Sequence, residues 1–429
     1  MTVTNESRPS EDAATGSVFA ALHTDSDRLW QALMEMAKIG ATPKGGVNRQ
    51  ALTELDRQGR ELFIQWCRAE GCTIRVDRIG NVFARRPGRV DGPAVMMGSH
   101  LDSQPTGGKY DGCFGVLAGL EVIRTLNAHN ITTDAPVEVV AWTNEEGCRF
   151  APCMMGSGVF TGELDFDTML ARTDAEGASA GEALDAIHAR GSDNVSIDEI
   201  KAYFEPHIEQ GPILEDTDTT IGVVIGALGQ KWFDLTLTGL EAHAGPTPMH
   251  LRRDALLGAA EIIQALNHIA SEHAPHGRGT VGCITAHPGS RNVIPGEVTM
   301  TLDMRHWEPE ALATMSQTLA TSIANISERH GLDYTLTPTA DFAPEFFDER
   351  CVEAVRRGAE RLGLSHREII SGAGHDAIFI GRVAPAAMIF IPCKDGISHN
   401  EAESATPEHV HAGANVLLHA VLDAAGVAA

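Results

Sequence analysis

Between Pro93 and Gly147, two apolar runs bracket a helical one, and each apolar run stops on polar residues: "PAVMMGSHLDS", then "GCFGVLAGLEVIRTLNAHN", then "APVEVVAWTNEEG". Continuous apolar runs of this length read as strands buried on both faces. Strand, helix, strand at this spacing predicts a parallel α/β sheet. Sites in open α/β sheets gather just past the C-terminal strand ends. Here those ends carry His100 and Asp102 after the first run, and Glu145 and Glu146 after the second. Two adjacent carboxylates at the end of a buried strand repel each other and lose hydration, so they call for a positive charge.

The same pattern resumes near the C-terminus with "DERCVEAVRRGAERLG" and "APAAMIFIP". Between the two stretches the character changes. "IGVVIGALGQKWFDLTLTGLEAH" alternates like antiparallel strands, and it leads into helix, two strands joined by a Gly/Pro turn, helix and strand. That order predicts a compact α+β sandwich inserted into the first domain. The expected division is a discontinuous domain over 1–223 and 341–429 with an insert over 224–340. A chain of 429 residues is too long for one core, which agrees with two domains.

A formal charge of −25 argues against nucleic acid and anionic membrane as partners. No apolar run is long enough to span a bilayer. The opening "MTVTNESRPSEDAATG" lacks the basic start and apolar stretch of a signal peptide, so a frayed tail and a cytoplasmic location are expected. The eight cysteines form no C-x-x-C, and reduced, mostly buried thiols are expected rather than a disulfide framework.

Chemistry concentrates in His100, Asp102, Asp111, Glu145, Glu146, His207 and His399, each at a strand end or in a Gly-rich loop of the α/β part. Singly, each has a plain structural alternative: Asp111 could cap the helix that follows it. Together they form a nitrogen and oxygen donor set suited to zinc, manganese, cobalt or nickel. Side chains alternate along a strand, so one member of the Glu pair can bind metal while the other stays free as a base.

The ordered set "GSHLDS…GGKYDG", "NEEG", "HIEQGP", "EAHAGPTPM…RRDA", "RNVIPG…DMRH", "SGAGHDA" and "DGISHNE" resembles the hydantoinase/carbamoylase family, dinuclear metallo-amidohydrolases of the aminoacylase and carboxypeptidase superfamily. The resemblance runs from about residue 25 to the C-terminus. It implies a zinc-exopeptidase-like catalytic domain with a mixed, mainly parallel sheet, and a ferredoxin-like lid and dimerisation insert. It implies two divalent ions per subunit, zinc or manganese, with cobalt or nickel as alternatives. His100 and His207 would bind one ion, Glu146 and His399 the other, and Asp111 would bridge. Glu145 would be the general base, with Asp102 orienting His100. His243 would donate to the reacting carbonyl from a neighbouring subunit of a homodimer. Asn292 and Arg305 would hold a substrate carboxylate side by side, while Gln210, Gly372 and Gly374 line the site. His375 is left open between ligand contact and structural residue. Arg252 and Arg253 are expected in structural ion pairs, and Cys148 as a small buried filler; Cys393 stands near His399 where a small polar residue is usual.

The implied reaction is hydrolysis of N-carbamoyl-L-amino acids, 3-ureidopropionate among them, to the amino acid, ammonia and carbon dioxide. The alternatives are an allantoate amidohydrolase, an aminoacylase or dipeptidase, and a non-catalytic ureido-acid or metal-binding protein. An unmodified Glu145 disfavours the last, because binding alone needs no free base.

Overall fold

The computed structural model describes residues 22–427, so the expected frayed N-terminal tail lies outside the described residues. The chain divides into two compact units, one comprising the residues up to Gly226 and from Phe346 onward, the other Ala227–Glu345.

The first unit is built on a nine-stranded sheet. Its middle is parallel: β4 (Val137–Trp142) and β5 (Ile200–Ile208) flank β3 (Ala94–His100), and β15 (Ala386–Ile391) lies beyond β5. Every residue of β3, β4 and β15 is buried, as apolar strands covered on both faces require. Antiparallel strands finish the flanks. The hairpin of β1 (Thr73–Val76) and β2 (Val82–Arg86) pairs with β4, and β6 (Ile221–Ala227) pairs with β15. Four helices pack together against the sheet: α1 (Ser26–Met36), α3 (Cys113–Ala128), α6 (Glu349–Arg361) and α8 (Pro407–Ala425). Helix α2 (Glu54–Ala69) covers the hairpin, while a short helix at 155–161 and α7 (Asp376–Gly381) pack against each other, α7 also against β5 and β15. Helix α3 buries almost its whole circumference, which explains why its sequence lacks a polar stripe.

The alternation expected from Ile221 onward begins later. Strand β6 is buried along nearly its whole length and belongs to the large sheet, where the short β13 (Glu345–Phe346) and β14 (His366–Ser371) also pair with it, so the chain leaves the first unit at Gly226 and re-enters it at Phe346.

The second unit holds a four-stranded antiparallel sheet in the order β12 (Asp333–Phe342), β7 (Gly229–Thr238), β11 (Glu297–His306), β9 (Arg278–His287). With α4 (Ala255–Glu272) and α5 (Pro309–His330) between the strands, this is the βαββαβ arrangement of ferredoxin-like folds. Its own core joins Leu235, Leu237, Met300 and Met304 of the sheet to Ile262, Leu266, Met315 and Ile323 of the helices. A separate two-stranded ribbon, β8 (Ala242–His243) with β10 (Val293–Ile294), lies past the Thr238 and Glu297 ends of the sheet.

Candidate active site

In the first unit, the loops beyond the C-terminal ends of β3, β4, β5 and β15 bring seven expected residues together. His100 ends β3 and Asp102 lies just past it, Glu145 and Glu146 follow β4, His207 sits near the end of β5, and His399 follows β15. Asp111 lies in the turn before α3. Two donor groups result: His100, Asp111 and His207 in one, Asp111, Glu146 and His399 in the other, with all ligand atoms of each group within 4.8 Å of one another. Asp111 belongs to both. Its Oδ1 lies 3.5 Å from His100 Nε2 and 3.1 Å from His207 Nε2, and its Oδ2 lies 3.4 Å from His399 Nε2. Glu146 Oε2 lies 3.2 Å from His399 Nε2. Glu145 stands outside both groups, its Oε2 3.4 Å from His100 Nε2.

The backbone sets these side chains. The Nδ1 atoms of His100 and His207 lie 2.9 Å from the carbonyls of Asp102 and Ile208. A carbonyl only accepts, so Nδ1 carries a hydrogen and Nε2 is the nitrogen turned toward Asp111, where it donates to the carboxylate when protonated and offers a lone pair to a cation when not. Gly112 is required beneath His100: its φ is +65°, and a Cβ there would meet the imidazole at 2.4 Å. Asn144, Gln210 and His399 also hold φ values of 53–56°, which non-glycine residues rarely adopt. Strain of this kind persists where the surroundings over-determine it, and three of the nine non-glycine residues with positive φ among the described residues lie in the loops that carry the site.

Asp102 touches both His100 and the carboxylate pair. His100 Nδ1–H donates to the Asp102 carbonyl, while the Asp102 carboxylate accepts the backbone N–H groups of Glu145 and Glu146, each at 3.2 Å. Asp102 thus holds the imidazole through its carbonyl, with its carboxylate 3.8 Å from His100 Nδ1, and holds the carboxylate pair through its side chain.

Taken among themselves, these groups are out of charge balance. The ion pairs of Asp111, Glu145 and Glu146 run to imidazoles, not to lysine or arginine. Burial pushes the Glu145 carboxyl well above its usual range; His100 opposes this, and Asp376, Glu146 and Asp102 reinforce it. Burial and the charge of Asp111 push Glu146 up to about 8. Burial works the same way on Asp111, but hydrogen bonds from His100 and His207 win and hold it well below the usual range. A buried, oxygen-rich and nitrogen-rich set with its lone pairs converging and no cysteine among the donors fits a divalent cation.

The remaining expected residues divide. Gln210 touches the donor groups directly, its Nε2 3.0 Å from Asp111 Oδ2 and 3.2 Å from Ser398 Oγ. His375 is buried with its ring 4.5 Å edge-on to His207, and its Nε2 has no hydrogen-bond partner. Gly374 packs beside Met154, and nothing lies where a Cβ on Gly372 would point. Cys148 is exposed, not a buried filler, with its thiol directed at the Ser103 carbonyl. Cys393 is buried and donates to the Ile397 carbonyl. All eight cysteines are free; five are buried, and Cys148, Cys153 and Cys283 are exposed.

The second unit carries His243, Asn292 and Arg305. His243 is exposed, and its Nδ1 accepts the Gly245 N–H at 3.1 Å, which places its hydrogen on the outward Nε2. Asn292 lies next to it across the β8–β10 ribbon, its carbonyl bonded to the Ala244 N–H. Arg252 does not form the expected ion pair; it holds this loop through the Ala244 and Thr247 carbonyls, while Arg253 pairs with Asp333. Arg305 is not beside Asn292. It sits at the opposite end of β11, paired with Asp303, and at about 3.4 Å per residue the strand ends are roughly 30 Å apart. The two residues are close in sequence, but the intervening strand runs straight away from the ribbon.

Three supporting residues escaped the sequence. Gln104 donates to both Glu146 oxygens, from its backbone N–H at 3.0 Å and its Nε2 at 2.7 Å. Arg49, fully buried, bonds the carbonyls of Leu101, Met36 and Ile39. Glu403 accepts the N–H groups of Tyr110 and Asp111. Gln104, directly after "GSHLDS", and Glu403, two residues past "DGISHNE", lie close enough to the quoted motifs to be suspected.

The sequence profile of peptidase family M20/M25/M40 matches residues 96–423. An N-carbamoyl-L-amino-acid amidohydrolase of Rhizobium meliloti is 48% identical over 94% of this chain and 97% of its own length. The chain belongs to the M20/M25/M40 peptidase family, in its hydantoinase/carbamoylase branch. A hydantoinase/carbamoylase family amidase from Burkholderia multivorans superposes on this M20 chain with a TM-score of 0.92 at 55% identity, covering 94% of this chain and 99% of the other. A ureidoglycolate hydrolase of Oryza sativa is more distant, 34% identical over 92% of this chain and 84% of its own. Among the described residues of this M20 chain, no helix is long and apolar enough to cross a membrane.

Proposed function

We propose that this chain is a metal-dependent amidohydrolase that cleaves the carbamoyl amide bond of N-carbamoyl-L-amino acids. The observation that carries the reading is Asp111, shared by two donor groups, with the protonatable Glu145 beside them and outside both. Similarity to amidohydrolases named for carbamoyl amino acids, closer than to the ureidoglycolate hydrolase, supports the choice of substrate.

His100, Asp111 and His207 would hold one divalent ion, and Asp111, Glu146 and His399 a second, zinc or manganese first, cobalt or nickel as substitutes. Such a pair supplies Lewis-acid polarisation of the carbonyl and lowers the pKa of a water. Glu145 takes the proton of the attacking water and returns it to the departing amino-acid nitrogen. The C–N bond breaks, the amino acid leaves as an amine, and the carbamate left behind decomposes to ammonia and carbon dioxide. Negative charge gathers on the former carbonyl oxygen, where the Nε2–H of His243 is a suitable donor. The Arg305 fork suits a substrate carboxylate, and releasing it from Asp303 is part of binding. Because Asn292 and Arg305 sit at opposite ends of one lid, they serve one substrate only if they come from different copies, so we assign the insert to a lid that also pairs two subunits.

The test is ammonia release from N-carbamoyl-L-alanine, 3-ureidopropionate, allantoate and ureidoglycolate by protein loaded with manganese or zinc. Highest kcat/KM on a carbamoyl amino acid is expected. Preference for allantoate or ureidoglycolate would transfer the assignment to that substrate, and no turnover of any ureido acid by loaded protein would end it.

A further inference from the structure

Two donor groups that share one aspartate work only if the Asp111 turn and the His399 loop keep a fixed spacing, although nearly three hundred residues separate them in sequence. One buried side chain joins them. Glu403 is 5% exposed. Its Oε1 accepts the backbone N–H groups of Tyr110 and Asp111, both at 3.1 Å. Its Oε2 accepts the Ser398 hydroxyl at 3.0 Å, and that same oxygen of Ser398 lies 3.1 Å from Asp111 Oδ2. The turn closes tightly over the carboxylate: a Cβ on Gly108 would fall 2.0 Å from Glu403 Cδ. On its own side, the Glu403 N–H bonds the Asn400 carbonyl, and the Ala402 N–H bonds Asn400 Oδ1, which returns the chain from His399 to Glu403.

A further carboxylate behind Asp111 is electrostatically unfavourable for an already acidic cluster. Its retention in a dry position is accounted for by what it holds: two peptide donors of one loop and the hydroxyl of the other, all satisfied at once. Gln210 also links the two loops, through Asp111 Oδ2 and Ser398 Oγ, but it is half-buried and contributes one nitrogen.

We propose that Glu403 is a positioning residue that locks the Asp111 turn to the Ser398–His399 loop and so sets the spacing between the two ion sites. This rests on the dinuclear reading above. The partners of metal ligands typically change affinity or activity by about 10–100-fold when removed.

The experiment compares wild-type protein with Glu403→Ala, Glu403→Gln and Glu403→Asp. It measures Mn2+ stoichiometry and affinity by equilibrium dialysis, the spin-coupled manganese pair by electron paramagnetic resonance, kcat and KM on N-carbamoyl-L-alanine, and melting with chelator. Glu403→Ala is expected to bind its second ion about 10–100-fold more weakly and to show isolated rather than paired manganese. Its kcat falls while KM at saturating manganese stays near the wild-type value. Glu403→Gln restores pairing, because its amide oxygen still accepts the two peptide donors and its amide nitrogen can donate to Ser398. If the alanine variant does not fold, Glu403→Asp, which keeps the charge but draws it back by one methylene, is expected to show the same loss of pairing. A wild-type protein that takes up no pair of ions overturns the dinuclear reading and this proposal with it. A wild type with a pair, beside folded alanine or aspartate variants with equal affinity and an equal paired signal, overturns the role of Glu403 alone, whatever happens to their melting temperatures.

Discussion

The two units treat their polar residues in opposite ways. In the first, every proposed ligand except His399 is largely buried, and each is fixed by a strand end, a backbone carbonyl or a neighbouring carboxylate. In the second, His243 and Asn292 lie exposed on a two-residue ribbon, and Arg305 sits at the far end of the sheet in an ion pair with Asp303. A buried cluster with converging lone pairs is complete within one unit. Donors far apart on one unit, two of them exposed, are half of something, and their use is set by what the unit meets. The first arrangement therefore answers to point substitution, and the second to assembly.

The sharpest way to break this contrast is Glu145→Gln. It removes the proton carrier but leaves both donor groups untouched, so kcat should fall by about 10²–10⁴-fold while manganese uptake stays at the wild-type level. Loss of metal together with activity would place Glu145 among the ligands and dissolve the division between base and donor groups. Arg305→Ala comes next. Losing a charge-assisted bond worth about 1.5–3 kcal/mol should raise KM by roughly 10–100-fold with metal binding unchanged. An unaltered KM would mean that Arg305 stays with Asp303 throughout the cycle.

Mixing tests assembly directly. Glu145→Gln and His243→Ala should each be nearly inactive alone. Random re-pairing in a dimer makes about half of the molecules mixed, and if His243 serves its neighbour's site, one of their two sites is intact, returning about a quarter of wild-type activity. No recovery after verified exchange would place His243 over the site of its own chain.

The legible part of this molecule was the part whose pattern is local. Continuous burial made β3, β4 and β15 visible, and the polar residues at the strand ends gave His100, Glu145, Glu146 and His399 as members of one donor set. The chain order of strands and helices in the second unit was readable for the same reason. What could not be read depended on contacts between distant segments. The resemblance places Asp102 beside His100, but no local pattern shows that its carboxylate also reaches across to the Glu145 and Glu146 peptides. The resemblance implies that Asn292 and Arg305 act side by side, yet nine residues of extended strand run from the turn that carries one up to and including the other. Arg49 carries no signal at all, since a buried arginine bonded to carbonyls has no sequence pattern to betray it.

The smallest expected effect concerns pH, and it should appear in the first unit's stability. Burial raises Glu146 to about 8 and Glu403 to about 7, against an ordinary 4.5. Each group binds its proton more tightly folded than unfolded. Their contribution to stability is thus fully present below about pH 4.5 and is lost as the pH rises through 7 and 8. Chelated protein should accordingly melt at a lower temperature at pH 9 than at pH 6. Ligands must be deprotonated to bind a cation, so manganese affinity should climb over the same interval, and the loaded protein should lose that decline or reverse it. Calorimetry at both pH values, with chelator and with manganese, separates the cases. If the chelated protein melts no lower at pH 9, the carboxylates of the donor groups ionise as freely as on a surface, and the buried character that distinguishes this unit from the other is not maintained in solution.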